Sequence, residues 1–143
     1  DHIGANDRFG APIWIHKLDA DCLTDSRKNL SEAIGFPYTS PQASRFLNGG
    51  ERINLGWITL EIIHTPGHTP GGICIKSDGV IFTGDTLFCG GIGRTDLPGG
   101  SKTDLIKSIK EKIFKFDGSL IVYPGHGRPT TIDKEKRENP FLI

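Results

Sequence analysis

The pattern of apolar and polar positions divides this chain into short strand-like runs separated by sharp turns, with one clear helical stretch. Residues 12–16 read as a short strand, and the polar, Ser/Asn/Pro-rich stretch 24–50 reads as a helix or loop excursion. Residues 53–63 alternate enough for a strand pair broken near Gly56. Residues 72–77, then Asp78-Gly79, then residues 80–83 predict a hairpin, since Asp-Gly suits a type I′ turn. The loop 89–100 is glycine-rich and is expected to line a pocket. From Ser101 the period changes: Leu105, Ile106, Ile109, Ile113 and Phe114 share one helical face, and Ser101 with Asp104 offers a cap. Residues 120–123 return to an apolar strand. The sum is a mixed sheet with helices, an α+β chain in one domain over residues 1–143, without internal repeats or low-complexity tracts.

Composition narrows the function classes. Seventeen acidic and seventeen basic residues give zero formal net charge with no basic block, so a mixed solvated surface is expected rather than attraction to nucleic acid or membrane. No run approaches the ~18 apolar residues that cross a bilayer, and no apolar stretch behind basic residues reads as a signal peptide. Cys22, Cys74 and Cys89 are odd in number and lack paired spacing, which argues against a disulfide framework or a cysteine zinc cluster and for a reducing cytoplasm. The 143 residues suffice for a real core, yet include no methionine, as expected of a processed or partial chain. Glycine, 19 of 143 residues, exceeds the usual ~7% and suits many turns around a site.

Three segments carry candidate chemistry: Thr65-Pro66-Gly67-His68-Thr69-Pro70-Gly71-Gly72, Phe82-Thr83-Gly84-Asp85-Thr86 and Val122-Tyr123-Pro124-Gly125-His126-Gly127. Each sets a metal-binding side chain on a tight turn at the end of an apolar run, where it can project into a shared space above a sheet. With Asp1-His2 at the start, the set looks like part of a two-metal hydrolase site. The plainer readings fall elsewhere. His64 suits a supporting or packing role and His16 a half-buried strand position, Thr69 and Thr86 fit turn capping as well as ligand orientation, and Arg128 divides between pocket and surface.

In this order the segments resemble the metallo-β-lactamase superfamily, and within it the glyoxalase II-like (hydroxyacylglutathione hydrolase-like) thioester hydrolases. That family opens its site with His-x-His-x-Asp-His, of which this chain begins with the last two residues, Asp1-His2. The resemblance continues through Gly84-Asp85-Thr86-Leu87-Phe88, through Gly91-Ile92-Gly93-Arg94-Thr95-Asp96-Leu97-Pro98-Gly99-Gly100, and through Glu135-Lys136-Arg137-Glu138-Asn139-Pro140-Phe141-Leu142. It implies an αββα sandwich truncated at the N-terminus, lacking its first strands. It makes His68 the third histidine of a first metal site, Asp85 the carboxylate bridging two metals, and Asp1, His2 and His126 the ligands of a second. Without the His-x-His pair the first site keeps two protein ligands, fewer than the three usual at a catalytic zinc.

The implied reaction is attack of metal-activated hydroxide on a thioester carbonyl, with Asp1 orienting the hydroxide, Asp85 bridging the ions and Arg94 facing glutathione carboxylates. The cofactors would be two divalent ions, zinc first, with iron or manganese as alternatives. The substrate would be a small thioester such as a glutathione conjugate. Exposed sheet edges on a shortened sandwich lead us to expect a homo-oligomer or association with a missing N-terminal segment. Two other readings stay open: a mononuclear iron persulfide dioxygenase, against which Pro124-Gly125-His126-Gly127 stands where those enzymes tend to carry Pro-Ala-His, and an inactive metal-binding or self-associating fragment. A β-lactamase reading is disfavoured because Asp85 fits the bridging carboxylate of the thioester-hydrolase branch.

Overall fold

A computed structural model describes all 143 residues. Packing divides the chain into two compact units, Asp1–Asn48 and Gly49–Ile143.

In the first unit a 3-10 turn, Asn6–Arg8, precedes strand β1 (Trp14–His16), which pairs in parallel with β2 (Arg45–Leu47). Helix α1 (Asp21–Thr24) and a long irregular segment connect them. The stretch 24–50, for which the sequence predicts a helix or loop, is loop apart from Thr24, which ends α1, and β2, whose three residues are too few to show a period. The loop is organised by Asn29, whose Nδ2 donates to the carbonyls of Cys22 and Tyr38 while its Oδ1 accepts from Ser31 N. His16 is buried, donating from Nε2 to Asn48 O at 3.2 Å and accepting at Nδ1 from Leu18 N at 3.3 Å, so it is a hydrogen-bonded strand histidine.

The second unit is built on a six-stranded sheet ordered β10-β9-β6-β5-β4-β3, from β3 (Arg52–Leu55), β4 (Ile58–His64), β5 (Ile73–Ser77), β6 (Val80–Gly84), β9 (Ile121–Pro124) and β10 (Thr130–Thr131). β6 and β9 run parallel and the remaining pairs antiparallel. Between β6 and β9 lie a small hairpin, β7 (Leu87–Phe88) with β8 (Gly91–Ile92), and helix α2 (Lys102–Ser108). Helix α3 (Ile132–Glu138) follows β10. The expected break at Gly56 is the β3–β4 turn, where that glycine has φ +62. At Asp78-Gly79 the hairpin forms, but only Gly79 takes a positive φ (+71), the φ pattern of a type II turn rather than the expected type I′.

Ser101 caps α2 as its spacing predicts, accepting from Asp104 N at 3.2 Å. The helix then widens into a π turn over Ile109–Ile113, which keeps Leu105, Ile109 and Ile113 all fully buried. They pack with Cys74, Ile81, Leu87, Leu120, Val122, Ile132 and Leu142 in one core, flanked by Ile106 and Phe114. That core sets the helices against one face of the sheet and leaves the turns after β4, β6 and β9 to present side chains. No helix is long and apolar enough to cross a membrane.

Candidate metal centre

Each of the three turns is shaped by backbone chemistry before any ligand is considered. After β4 the chain folds back so that Thr65 N donates to Gly72 O at 2.7 Å and closes the loop that carries His68. Gly67 has φ +140, and a Cβ there would lie 2.3 Å from Leu105 N, so only glycine lets this loop rest on α2. Helix α2 then holds the loop: Ser101 N donates to Gly67 O at 2.8 Å and Ser108 Oγ to Pro66 O at 2.9 Å.

Asp85 is aimed by an irregularity at the end of β6. The register with β9 shifts between Phe82 and Gly84, and Gly84 takes φ +48, the sort of bulge that redirects a strand end. A turn closed by Thr86 N donating to Thr83 O at 2.9 Å follows. Gly125 N donates to Gly84 O at 2.8 Å, so the end of β9 is tied to the same place and His126 comes next.

These turns converge. His68 Nε2 and His126 Nε2 each lie 3.6 Å from the same oxygen, Asp85 Oδ2. That is too long for a hydrogen bond, yet it is close to the ~3.4 Å that separates two donor atoms sharing one tetrahedral ion at zinc–ligand lengths. Asp85 is the least exposed of the three, with 16% of its side-chain surface open against 23% for His68 and 54% for His126, so the group of rings opens to solvent on the His126 side. The edge of the Phe88 ring stands against His126, with centroids 6.1 Å apart.

The histidine tautomer is set from behind. His68 Nδ1 donates to the carbonyl of Arg94 at 2.8 Å, so in the neutral ring Nε2 is the acceptor, and it faces Asp85. A backbone acceptor on the far nitrogen is the usual support of a metal-binding imidazole. Two imidazole Nε2 atoms around one carboxylate oxygen form a donor set of the type that suits a borderline divalent ion.

Arg94 enters differently from its sequence reading. Its guanidinium makes a two-point pair with Asp96, at 2.8 and 2.7 Å, and both side chains are largely exposed. Sequence alone could not reveal the backbone role, because any residue supplies a carbonyl. Next to it, Gly93 allows the loop to approach: a Cβ there would stand 1.8 Å from Asp85 O and 3.2 Å from His68 Cβ. His64 is a supporting residue, donating from Nε2 to Pro70 O at 2.8 Å while its carbonyl accepts from Lys112 Nζ at 2.6 Å. Asp1 and His2 lie in the first unit, both exposed, ahead of the 3-10 turn.

Comparison with known proteins bears on the family and the fold. The family description "Metallo-beta-lactamase superfamily" matches residues 1–126. An uncharacterized protein of Mycobacterium tuberculosis is 42% identical, covering 99% of this chain and 71% of that protein. The hydroxyacylglutathione hydrolase GloC of Haemophilus influenzae is 41% identical, again over 99% of this chain and 71% of that protein. Among solved structures, BLEG-1 B3 metallo-beta-lactamase superposes with a TM-score of 0.90 at 37% identity, over 99% of this chain and 69% of that one. TTHA1623 in a di-iron-bound form gives a TM-score of 0.87 at 34% identity, over 99% and 72%. The α+β fold and these likenesses agree, and the chain belongs to the metallo-beta-lactamase superfamily.

Proposed function

We propose that this chain serves a metal-dependent thioester hydrolase of the hydroxyacylglutathione hydrolase type, with His68, Asp85 and His126 as metal ligands. The observation that carries the reading is the pair of imidazole Nε2 atoms set 3.6 Å from one oxygen of Asp85. The 41% identity to a protein named as that hydrolase supports the substrate class. Two divalent ions are proposed, zinc first, with iron or manganese as alternatives, and Asp1 and His2 are carried as further ligands on the strength of their place in the sequence. When bound, such ions lower the pKa of water and polarise a carbonyl.

The residues of the chain do the rest. Asp85 is the least exposed of the three and sits between two imidazoles. The Arg94 carbonyl keeps the His68 proton on Nδ1. The half-exposed His126 borders the open side, where a small substrate can approach. A thiolate leaving group departs without strong acid assistance, so no further proton donor is required of the chain. In this reading Arg94 meets substrate carboxylates only by exchanging Asp96 for them. Self-association of the chain, or association with a further segment, completes the proposal on partners.

The test is turnover of a hydroxyacylglutathione thioester by the metal-loaded chain beside its Asp85→Ala variant, with metal content measured in both. Hydrolysis by the parent, lost in the variant, with two ions per chain, is the expected result. Equal turnover by the two would refute the proposal, and a single iron with oxygen uptake would replace it by the oxygenase reading. A β-lactam belongs in the same assay because of the likeness to BLEG-1; preference for it over the thioester would move the assignment to lactam hydrolysis.

A further inference from the structure

Beneath the three ligand turns lies a chain of small polar side chains that the proposed chemistry does not use. Thr65, Thr83, Thr86 and Cys74 are all buried, with at most 2% of their surface exposed. Thr65 Oγ1 and Thr86 Oγ1 are 3.0 Å apart, Thr65 Oγ1 and Cys74 Sγ are 3.4 Å apart, and Cys74 Sγ donates to Thr83 O at 3.8 Å. One orientation of the protons serves every bond. Thr86 donates to Thr65, Thr65 donates to the sulfur of Cys74, and the thiol donates to the Thr83 carbonyl, which already accepts from Thr86 N at 2.9 Å.

The ends of this chain matter more than its middle. Thr65 is the base of the His68 loop, fixed by its bond to Gly72 O, and Thr86 closes the turn that presents Asp85. The hydroxyl bond between them therefore joins one ligand turn to the other from below. Buried hydroxyls in an apolar core are costly unless paired, and valine would fill the same volume without that cost. Packing alone does not account for two threonines facing each other here.

We propose that Thr65 and Thr86 are positioning residues that hold His68 and Asp85 at metal-binding separation through this buried tie. The inference rests on the proposed function only in taking His68 and Asp85 as metal ligands, and it says nothing about the substrate. Binding of an ion then adds a second link above the tie, so metal and tie stabilise each other and opening of the region around Cys74 is suppressed by metal.

The experiment measures zinc affinity by chelator competition and the visible spectrum of the cobalt(II) form, for the parent, Thr65→Val, Thr86→Val, the double variant and Thr86→Ser. Thermal unfolding of the metal-free chains is followed beside them. Each valine variant should weaken zinc binding by about tenfold or more, as loss of a supporting contact to a ligand commonly does. The cobalt spectrum should shift with it. The double variant should lose little beyond either single one, because both remove the same bond, and Thr86→Ser should return to the parent's behaviour. Valine variants that unfold earlier but bind zinc and give the cobalt spectrum as the parent does would overturn the tie. A parent that binds no zinc would overturn it together with the ligand assignment. Should the variants fail to fold, alkylation of Cys74 in the unaltered chain decides: zinc should slow it relative to Cys22, and an unchanged rate would contradict the proposal. None of these readouts uses thioester turnover, so a failed hydrolase assignment and a failed tie are told apart.

Discussion

Gly93 is the residue on which the site has least room to give. A methyl group there would meet the Asp85 carbonyl at 1.8 Å, and the obstacle is backbone, so the loop or Asp85 must move. Gly93→Ala should therefore lower zinc affinity by about tenfold or more, measured by chelator competition, with unfolding midpoints showing the accompanying strain. At the same scale, burial holds the Cys74 thiol well above its ordinary range, at about 11, and fully encloses it. Cys22 and Cys89 are half-buried. Alkylation of the native chain near neutral pH should label Cys22 and Cys89 first and reach Cys74 only after opening. The sequence singled out His68, Asp85 and His126 as candidate metal ligands from their places on sharp glycine-containing turns. It did not show what fixes them: the Arg94 carbonyl and the tight approach of Gly93 are backbone facts that any neighbouring residue type could conceal.

Among the elements, α3 does the least expected work. Its Glu135 is buried, and the carboxylate accepts from Gly90 N at 2.9 Å, Thr130 Oγ1 at 2.6 Å and Asn139 Nδ2 at 2.8 Å. Asn139 Nδ2 also donates to Gly91 O at 3.1 Å. The helix thereby grips the turn between β7 and β8, the hairpin whose second strand runs on into Gly93 and Arg94. Glu135→Ala should cost about 2–3 kcal/mol, as loss of buried bonds to a charged acceptor does, read by urea unfolding, and Glu135→Gln should cost less. This explains why α3 escaped sequence reading: its buried positions are Ile132 and Glu135, so its inner face carries a charge and shows no apolar period. By contrast α2 was legible, since Ser101 caps it and Leu105, Ile109 and Ile113 are plainly apolar. The hairpin β5–β6 was legible from Asp78-Gly79, although the turn type was not, because glycine alone satisfies the one positive φ that the turn requires. The parallel pairing of β6 with β9 depends on a long crossover, which no local pattern encodes.

For the molecule as a whole, a part of acid stability follows from one ion pair at the surface of each unit. Arg27 beside Asp25 and Arg94 beside Asp96 hold each carboxyl down at about 2. A folded-state pKa below the ordinary ~3.9 contributes stability that is complete above that value and disappears as pH falls through about 2. Unfolding free energy from these pairs should therefore be level above about pH 4 and decline toward pH 2, and Asp96→Asn should flatten part of that decline. Asp96 is largely exposed and Asp25 keeps 25% of its side-chain surface open, so the effect should shrink in high salt. The family was legible from the order of short motifs along the chain, and the match over residues 1–126 agrees with it. The division into two compact units was not, because residues 24–50 carry no break in composition at Asn48.

His68 and His126 converge on one carboxylate oxygen of Asp85, the place where the proposed ions would bind. Isothermal titration of zinc into the chain and into His68→Ala, Asp85→Ala and His126→Ala tests it directly. Each substitution should weaken binding by at least about tenfold, with Asp85→Ala the most damaging because both imidazoles face its carboxylate. Zinc affinities in all three variants equal to that of the parent would contradict it.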